Sequence, residues 1–168
     1  MLYEGRTLAT VERDIRKVLA KLEYGIYVVS MGSGPTGNAF TASWLTQVSS
    51  EPPMIVVAIH NQHRSARLLN ERDGFVVNLL GRGAEGVAKT FYGPAEAGHD
   101  RLKDVATSPA PKTGCPIIPG AIGFLDCRIV KRVPCGDHTA FFGEVLAAEL
   151  SGDTEILTST STRLRYGG

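Results

Sequence analysis

Residues 38–53, N-A-F-T-A-S-W-L-T-Q-V-S-S-E-P-P, place two amides, several hydroxyls and the chain's only tryptophan in one short stretch. If 38–46 is a single extended strand, Phe40, Ala42, Trp44 and Thr46 share one face, and Thr41, Ser43 and Leu45 share the other. Taken alone, that is equally the pattern of a mixed strand with its hydroxyls in solvent. The next block tips the balance: residues 54–59 are apolar throughout and end in H-N-Q-H-R-S. A hydroxyl-bearing strand beside an apolar one makes a groove with backbone N–H groups, hydroxyls and an aromatic edge. Such a groove suits a flat heterocycle with a phosphate tail.

Ser65 stands where a short helix with Ala66, Leu68 and Leu69 is predicted to begin, and a helix start offers N–H groups to an anion. Arg64, Arg67 and Lys89 are either cations serving that end or an ordinary solvated face. The phosphate-loop pattern G-x-x-x-x-G-K-[ST] is absent. Gly81, Gly83 and Gly86 spell G-x-G-x-x-G by letter, without a second parallel βα unit or an acidic ribose partner. His60 and His63 could be two ligands of a metal, but no third is placed beside them, so no metal is expected. His99 lies in an irregular stretch and reads as a surface residue. His138, in C-G-D-H-T, opens a strand after a Gly-Asp turn. It is either a turn histidine bonded to Asp137 or an imidazole at the rim of the cleft, placed to donate a proton or touch a dinucleotide. No G-x-S-x-G or Cys-His constellation points to hydrolysis.

The elements that must position these groups follow from periodicity. Val11, Ile15, Val18, Leu19 and Leu22 fall on one helical face, with Thr10 as N-cap, and this helix is expected to lid the sheet. Aromatic and β-branched residues at 24–30 predict a first strand ending in the turn-forming 32–37. Strands are expected next at 38–46 and at 54–60, the latter buried on both faces, with Pro52 and Pro53 barring a helix between them. A strand at 74–80 leads into a helix through Val87 and Ala88 to Phe91. Residues 93–116 form a long irregular excursion, and strands near 121–133, 139–150 and 155–160 complete the chain. Six or more strands linked mainly by turns predict a mainly β fold, a closed or nearly closed antiparallel barrel with peripheral helices.

The 168 residues suit one domain, 1–168. A net charge of +1 provides no general attraction for nucleic acid or an anionic membrane, so any anion must be held locally. The first residues lack the apolar segment of a secretory signal, and the run at 54–59 is far short of the ~20 residues that span a bilayer. The three cysteines, Cys115, Cys127 and Cys135, are odd in number and form no C-x-x-C pair, which fits free thiols in the cytoplasm.

Over nearly the whole chain, these motifs resemble the flavin reductase domain family with an FMN-binding split barrel, and within it flavoredoxin and the reductase modules attached to rubredoxins or flavodiiron proteins. The segments that carry the resemblance are YGIYVVS, the T-x-S-W-x-x-Q-x-S-x-x-P-P pattern of 41–53, GFVVNLL, K-T-F-Y-G, G-D-H-T-A-F-F-G-E-V and the terminal R-Y-G-G. The resemblance implies a homodimer of six-stranded antiparallel Greek-key split barrels, each holding FMN, with FAD as the alternative. It places Asn38, Thr41, Ala42, Ser43 and Trp44 along the flavin, with Gln47 and Ser49 nearby. Ser65 and Lys89 would approach the phosphate, and His138 and Tyr166 would lie by the ring where a nicotinamide stacks. The implied activity is an NAD(P)H:flavin oxidoreductase, taking hydride from NADH or NADPH and passing electrons to free flavin, a ferric chelate, a monooxygenase or a rubredoxin-like protein. The alternatives are an FMN electron carrier reduced by a protein partner, and a flavin-free ligand-binding barrel.

Overall fold

The computed structural model describes residues 7–93, 101–162 and 164. Helix α1 (Leu8–Leu19) starts at Thr7, whose hydroxyl accepts a hydrogen bond from the Thr10 backbone at 3.3 Å. The N-cap is therefore Thr7 and not the expected Thr10, because the helix begins three residues before its apolar periodicity does. Strand β1 (Tyr27–Met31) pairs antiparallel with β2 (Asn38–Ala42) across a short 3-10 turn. Strands β3 (Leu45–Ser50) and β4 (Pro53–His60) form the next hairpin. Helix α2 (Arg64–Asn70), strand β5 (Gly74–Leu79) and helix α3 (Glu85–Thr90) follow. Within the expected irregular excursion lies a short ladder of β6 (Ser108–Pro109) with β7 (Pro116–Ile117). A long hairpin of β8 (Gly123–Cys135) and β9 (His138–Leu150) leads to helix α4 (Ser159–Thr162).

Seven strands join one antiparallel sheet in the order β2-β1-β5-β8-β9-β4-β3. Its outermost strands, β2 and β3, are consecutive in the chain, with only Ser43 and Trp44 between them. Three Cα steps reach at most about 11 Å, so the sheet must curl until its edges nearly meet. Covalent continuity joins them at that corner; among the described residues no ladder does. The expected mainly β, antiparallel fold is what forms, with two corrections to its strands. The strand expected at 38–46 is split at Ser43–Trp44, which raises the count above six. The strand expected at 155–160 is replaced by isolated bridges, Gly81 to Ile156 and Gly25 to Thr158, followed by α4.

The curled sheet encloses one apolar cluster, built from Val29, Ile55, Val57, Phe75, Ile129 and Phe141 among others. A second cluster covers part of its outer face, where Val28, Leu80, Ala88, Phe91, Ile118 and Leu157 pack. Neighbours Val28 and Val29 thus serve opposite sides, so β1 and β5 are the strands buried on both faces. The apolar run in β4 alternates instead: Ile55, Val57 and Ile59 are buried and the residues between them half-buried. The expectation of two covered faces fails there because the outer cluster lies over β1 and β5. For the same reason α1 does not lid the sheet. It has no buried residue, and Leu8, Ile15, Val18 and Leu19 are exposed.

Buried polar groups tie the 101–118 segment to this frame. Asn78 donates to the Val28 carbonyl and the Ser30 hydroxyl, each at 3.0 Å, and accepts from the Ile118 backbone at 2.8 Å. Ser30 in turn donates to the Pro116 carbonyl. Asp126 accepts from the Lys112 backbone at 2.7 Å and from the Thr113 hydroxyl at 2.6 Å. All three cysteines are free, and burial, aided by the Asp126 charge, lifts the Cys127 thiol to about 12.

Candidate functional site

The corner that curls the sheet also builds a cavity. Past Ala42 the chain turns tightly, with the Leu45 N–H donating to the Ser43 carbonyl at 2.9 Å, a three-residue turn. The Ala58 N–H of β4 captures the Trp44 carbonyl at 2.9 Å. Trp44 therefore leaves the alternation expected to put it on one face with Phe40 and Ala42, and stands at the junction of the two edges. The cavity beside it has a volume of about 450 Å³, within the roughly 300–1,000 Å³ of small-molecule sites. One wall is β2 with the corner, a second is Ala58 and Ile59 of β4, and a third is Arg64, Ser65 and Arg67 of α2. Phe91, Tyr92, Gly93 and Arg101 close the remaining side.

The polar groups in the walls are mostly engaged. Asn38 Nδ2 donates to Ser65 Oγ at 3.2 Å, joining β2 to α2 through two buried side chains. Thr41 Oγ1 donates to the Ala88 carbonyl at 2.6 Å, and the Thr41 N–H to the Phe91 carbonyl at 3.0 Å. These two bonds protect the free edge of β2 with the end of α3. Arg101 donates to the Phe91 carbonyl at 2.6 Å and to the Gly93 carbonyl at 2.7 Å, fixing the backbone of the far wall. Partial burial lowers its pKa from the usual arginine value. Ser43 Oγ differs: it is buried, and among the described residues it has no hydrogen-bond partner. A buried hydroxyl left unmatched costs about 1–3 kcal/mol, so an orphan in a cavity wall marks a place where a ligand atom completes the set.

A cluster of imidazoles lies against Trp44. The His138 ring stacks on the indole with centroids 4.6 Å apart and planes at 28°, and His60 meets His138 edge-on at 5.1 Å. His138 Nδ1 lies 2.6 Å from Asp137 Oδ1, which assigns a proton to Nδ1. That hydrogen bond, with smaller help from the charges of His138 and His60, holds the Asp137 carboxyl below its usual range. His63 is lowered from the ordinary histidine value by burial first, then by the charges of His60 and His138. Among the described residues no group of three or more His, Cys, Asp and Glu is arranged to hold a metal ion.

Of the binding residues named from the sequence, Asn38, Thr41, Ala42, Ser43, Trp44 and Ser65 line the cavity, as do the candidate cations Arg64 and Arg67. His138 is behind the wall, 3% exposed and in contact with Trp44. Gln47 and Ser49 sit farther along β3, where Gln47 Nε2 donates to the Ser49 carbonyl at 3.1 Å, and neither lines the cavity. Lys89 is exposed on α3, next to the Ala88 carbonyl that Thr41 bonds. Tyr166 and His99 lie outside the described residues. Sequence reasoning missed Arg101, which sits in the stretch read as irregular and carries no local pattern. The glycine-rich letters at 81–86 are not a dinucleotide loop, because β5 before them is antiparallel to both its neighbours.

Comparison with known proteins adds the family. Residues 19–167 match the flavin reductase like domain. A flavin reductase (NADH) from Kitasatospora aureofaciens is 32% identical over 133 residues, 77% of this chain and 68% of that one. A diflavin flavoprotein A 1 from Synechocystis sp. is 30% identical over 141 residues, covering 83% of this chain and 24% of its own length. The chain spans about a quarter of the length of the diflavin flavoproteins it matches. Among solved structures, the NADH:FAD oxidoreductase of Streptomyces globisporus superposes with a TM-score of 0.81 at 28% identity, over 92% of each chain. The same oxidoreductase is also known in complex with NAD and FAD fragments.

Proposed function

The chain belongs to the flavin reductase like domain family, and from that premise we propose that it binds FMN in the cavity at the Ser43–Trp44 corner and works as an NAD(P)H:flavin oxidoreductase. The observation that carries the reading is the Ser43 hydroxyl, unmatched among the described residues, in a cavity where Asn38, Thr41 and Arg101 are already bonded and Arg64 and Arg67 stand at α2. This donor set fits a flat, polar-edged ring with an anionic tail, so the residues present suit a flavin mononucleotide. Trp44 and Phe40 offer ring surface, Ser43 a hydrogen bond to the polar edge, and Ser65 with the two guanidinium groups partners for a phosphate. A flavin held there supplies the ring that takes a hydride from a reduced nicotinamide and passes electrons to an acceptor.

The protein's own share is binding, orientation and exclusion of water. The Thr41 bonds to α3 and the Arg101 bonds to Phe91 and Gly93 hold the two sides of the cavity at a fixed separation, which preorganises it. FMN has about 31 non-hydrogen atoms, and ~0.3 kcal/mol per atom gives roughly 9 kcal/mol, a sub-micromolar dissociation constant. We also propose that the chain forms a homodimer, since among the described residues nothing covers the apolar face of α1.

The electron donor divides the readings. The diflavin relatives, in which a similar stretch is about a quarter of a longer chain, favour electron delivery to a flavoprotein partner. They also keep open an FMN carrier that a protein partner reduces. Anaerobic mixing of the flavin-loaded protein with NADH, and separately with NADPH, decides between them. Rapid bleaching of the flavin bands with either nucleotide is expected. Bleaching by a redox protein alone would establish the carrier, and a protein that binds neither FMN nor FAD would sink both.

A further inference from the structure

We propose that His138 is a positioning residue for Trp44: held by Asp137, its imidazole backs the indole and sets the plane that the cavity presents to a flat ligand. The inference rests on the flavin reading only for what that ligand is. His138 does not line the cavity and is 3% exposed, so its influence on the contents passes through the ring it touches. The stack, with centroids at 4.6 Å and planes at 28°, falls within the preferred 4.5–7 Å of paired aromatic rings.

The other side of the argument is how firmly the imidazole itself is placed. It is the first residue of β9, directly after the two-residue turn of Gly136 and Asp137, and Gly136 takes the positive φ of 63° that such hairpins require. Asp137 Oδ1 then fixes Nδ1 at 2.6 Å. His60, opposite on β4, fixes the ring from its edge at 5.1 Å. The groups facing this imidazole are Asp137 in its own turn, His60 on β4, His63 before α2 and Cys135 opposite on β8. Tyr24 approaches the indole as well, at 6.5 Å, without the close parallel overlap that His138 makes.

Trp44 is the chain's only tryptophan, so tryptophan fluorescence reports the state of this one ring. The experiment compares emission and anisotropy of flavin-free wild type, His138→Ala, His138→Phe and Asp137→Asn, then titrates each with FMN. Loss of the stacked ring in His138→Ala is expected to raise the emission yield, lower the anisotropy and weaken FMN binding roughly fivefold. His138→Phe, which keeps a ring but no charge or Nδ1–H, is expected to recover most of the anisotropy and most of the affinity. If His138→Ala fails to fold, Asp137→Asn carries the test, since it alters an exposed carboxylate and should move the same signals in the same direction by less. Unchanged anisotropy in whichever of these two variants folds would overturn the proposal. So would a His138→Phe variant as weak in FMN binding as His138→Ala, which would mean that the imidazole meets the ligand itself. A wild-type protein that binds no flavin overturns the functional reading instead, and the flavin-free anisotropies still decide the positioning role.

Discussion

Ser43 is a residue whose environment makes opposite demands on the empty and the filled site. Its hydroxyl is buried without a partner among the described residues, so removing it relieves an unmatched group in the free protein and removes a hydrogen bond from the complex. Ser43→Ala is therefore expected to leave thermal stability unchanged or raise it by up to about 1 kcal/mol, while FMN binding weakens by about 1 kcal/mol, near fivefold. Calorimetric unfolding and a flavin titration on the same variant check both signs. A variant that loses stability without losing affinity would show that the hydroxyl has a structural partner. At this scale the sequence was informative wherever chemistry is local. The hydroxyls, the indole and Ser65 were legible because the apolar strand that follows turns an otherwise ambiguous polar run into one side of a groove. Arg101 was not, since its role comes from meeting the carbonyls of Phe91 and Gly93 in space.

The break between β2 and β3 is where reading by element reached its limit. Alternation of side chains predicts a strand but does not register a corner, because a two-residue connection between strands leaves the pattern on either side intact. The result was one strand expected where two form, and with it a wrong face for Trp44. The end of the chain failed for a related reason: 155–160 has strand-forming residues but makes only isolated bridges. The far wall of the cavity depends on an equally non-local device, the Arg101 clamp. Arg101→Ala is expected to cost about 1–2 kcal/mol of stability through its two lost hydrogen bonds and to weaken FMN binding about tenfold, as the Phe91–Gly93 backbone is released. Arg101→Lys, a single point charge in place of a fork, should restore little of either. Full affinity in Arg101→Ala would show that the wall holds itself.

At the scale of the whole molecule, the curl of the sheet is what turns a stretch of sequence into a site. It brings the end of β2, the end of β4 and the start of α2 around one space, and covers β1 and β5 on both sides so that the frame is rigid. The same economy of cover leaves α1 outside, with Leu8 and Val18 exposed by 84% and 70%. As a homodimer built partly through that face, the protein should elute at twice its monomer mass, and Val18→Glu with Leu19→Glu should shift it toward the monomer. An unaltered elution volume for that double variant would place any interface elsewhere.

The central claim is that a flavin lies against the Ser43–Trp44 corner. Titrating FMN into flavin-free protein while following the emission of the single tryptophan tests it most directly. Saturable quenching with a sub-micromolar midpoint is the predicted result. Tight FMN binding that leaves the Trp44 emission unchanged would contradict the account, because the flavin would then be bound somewhere else.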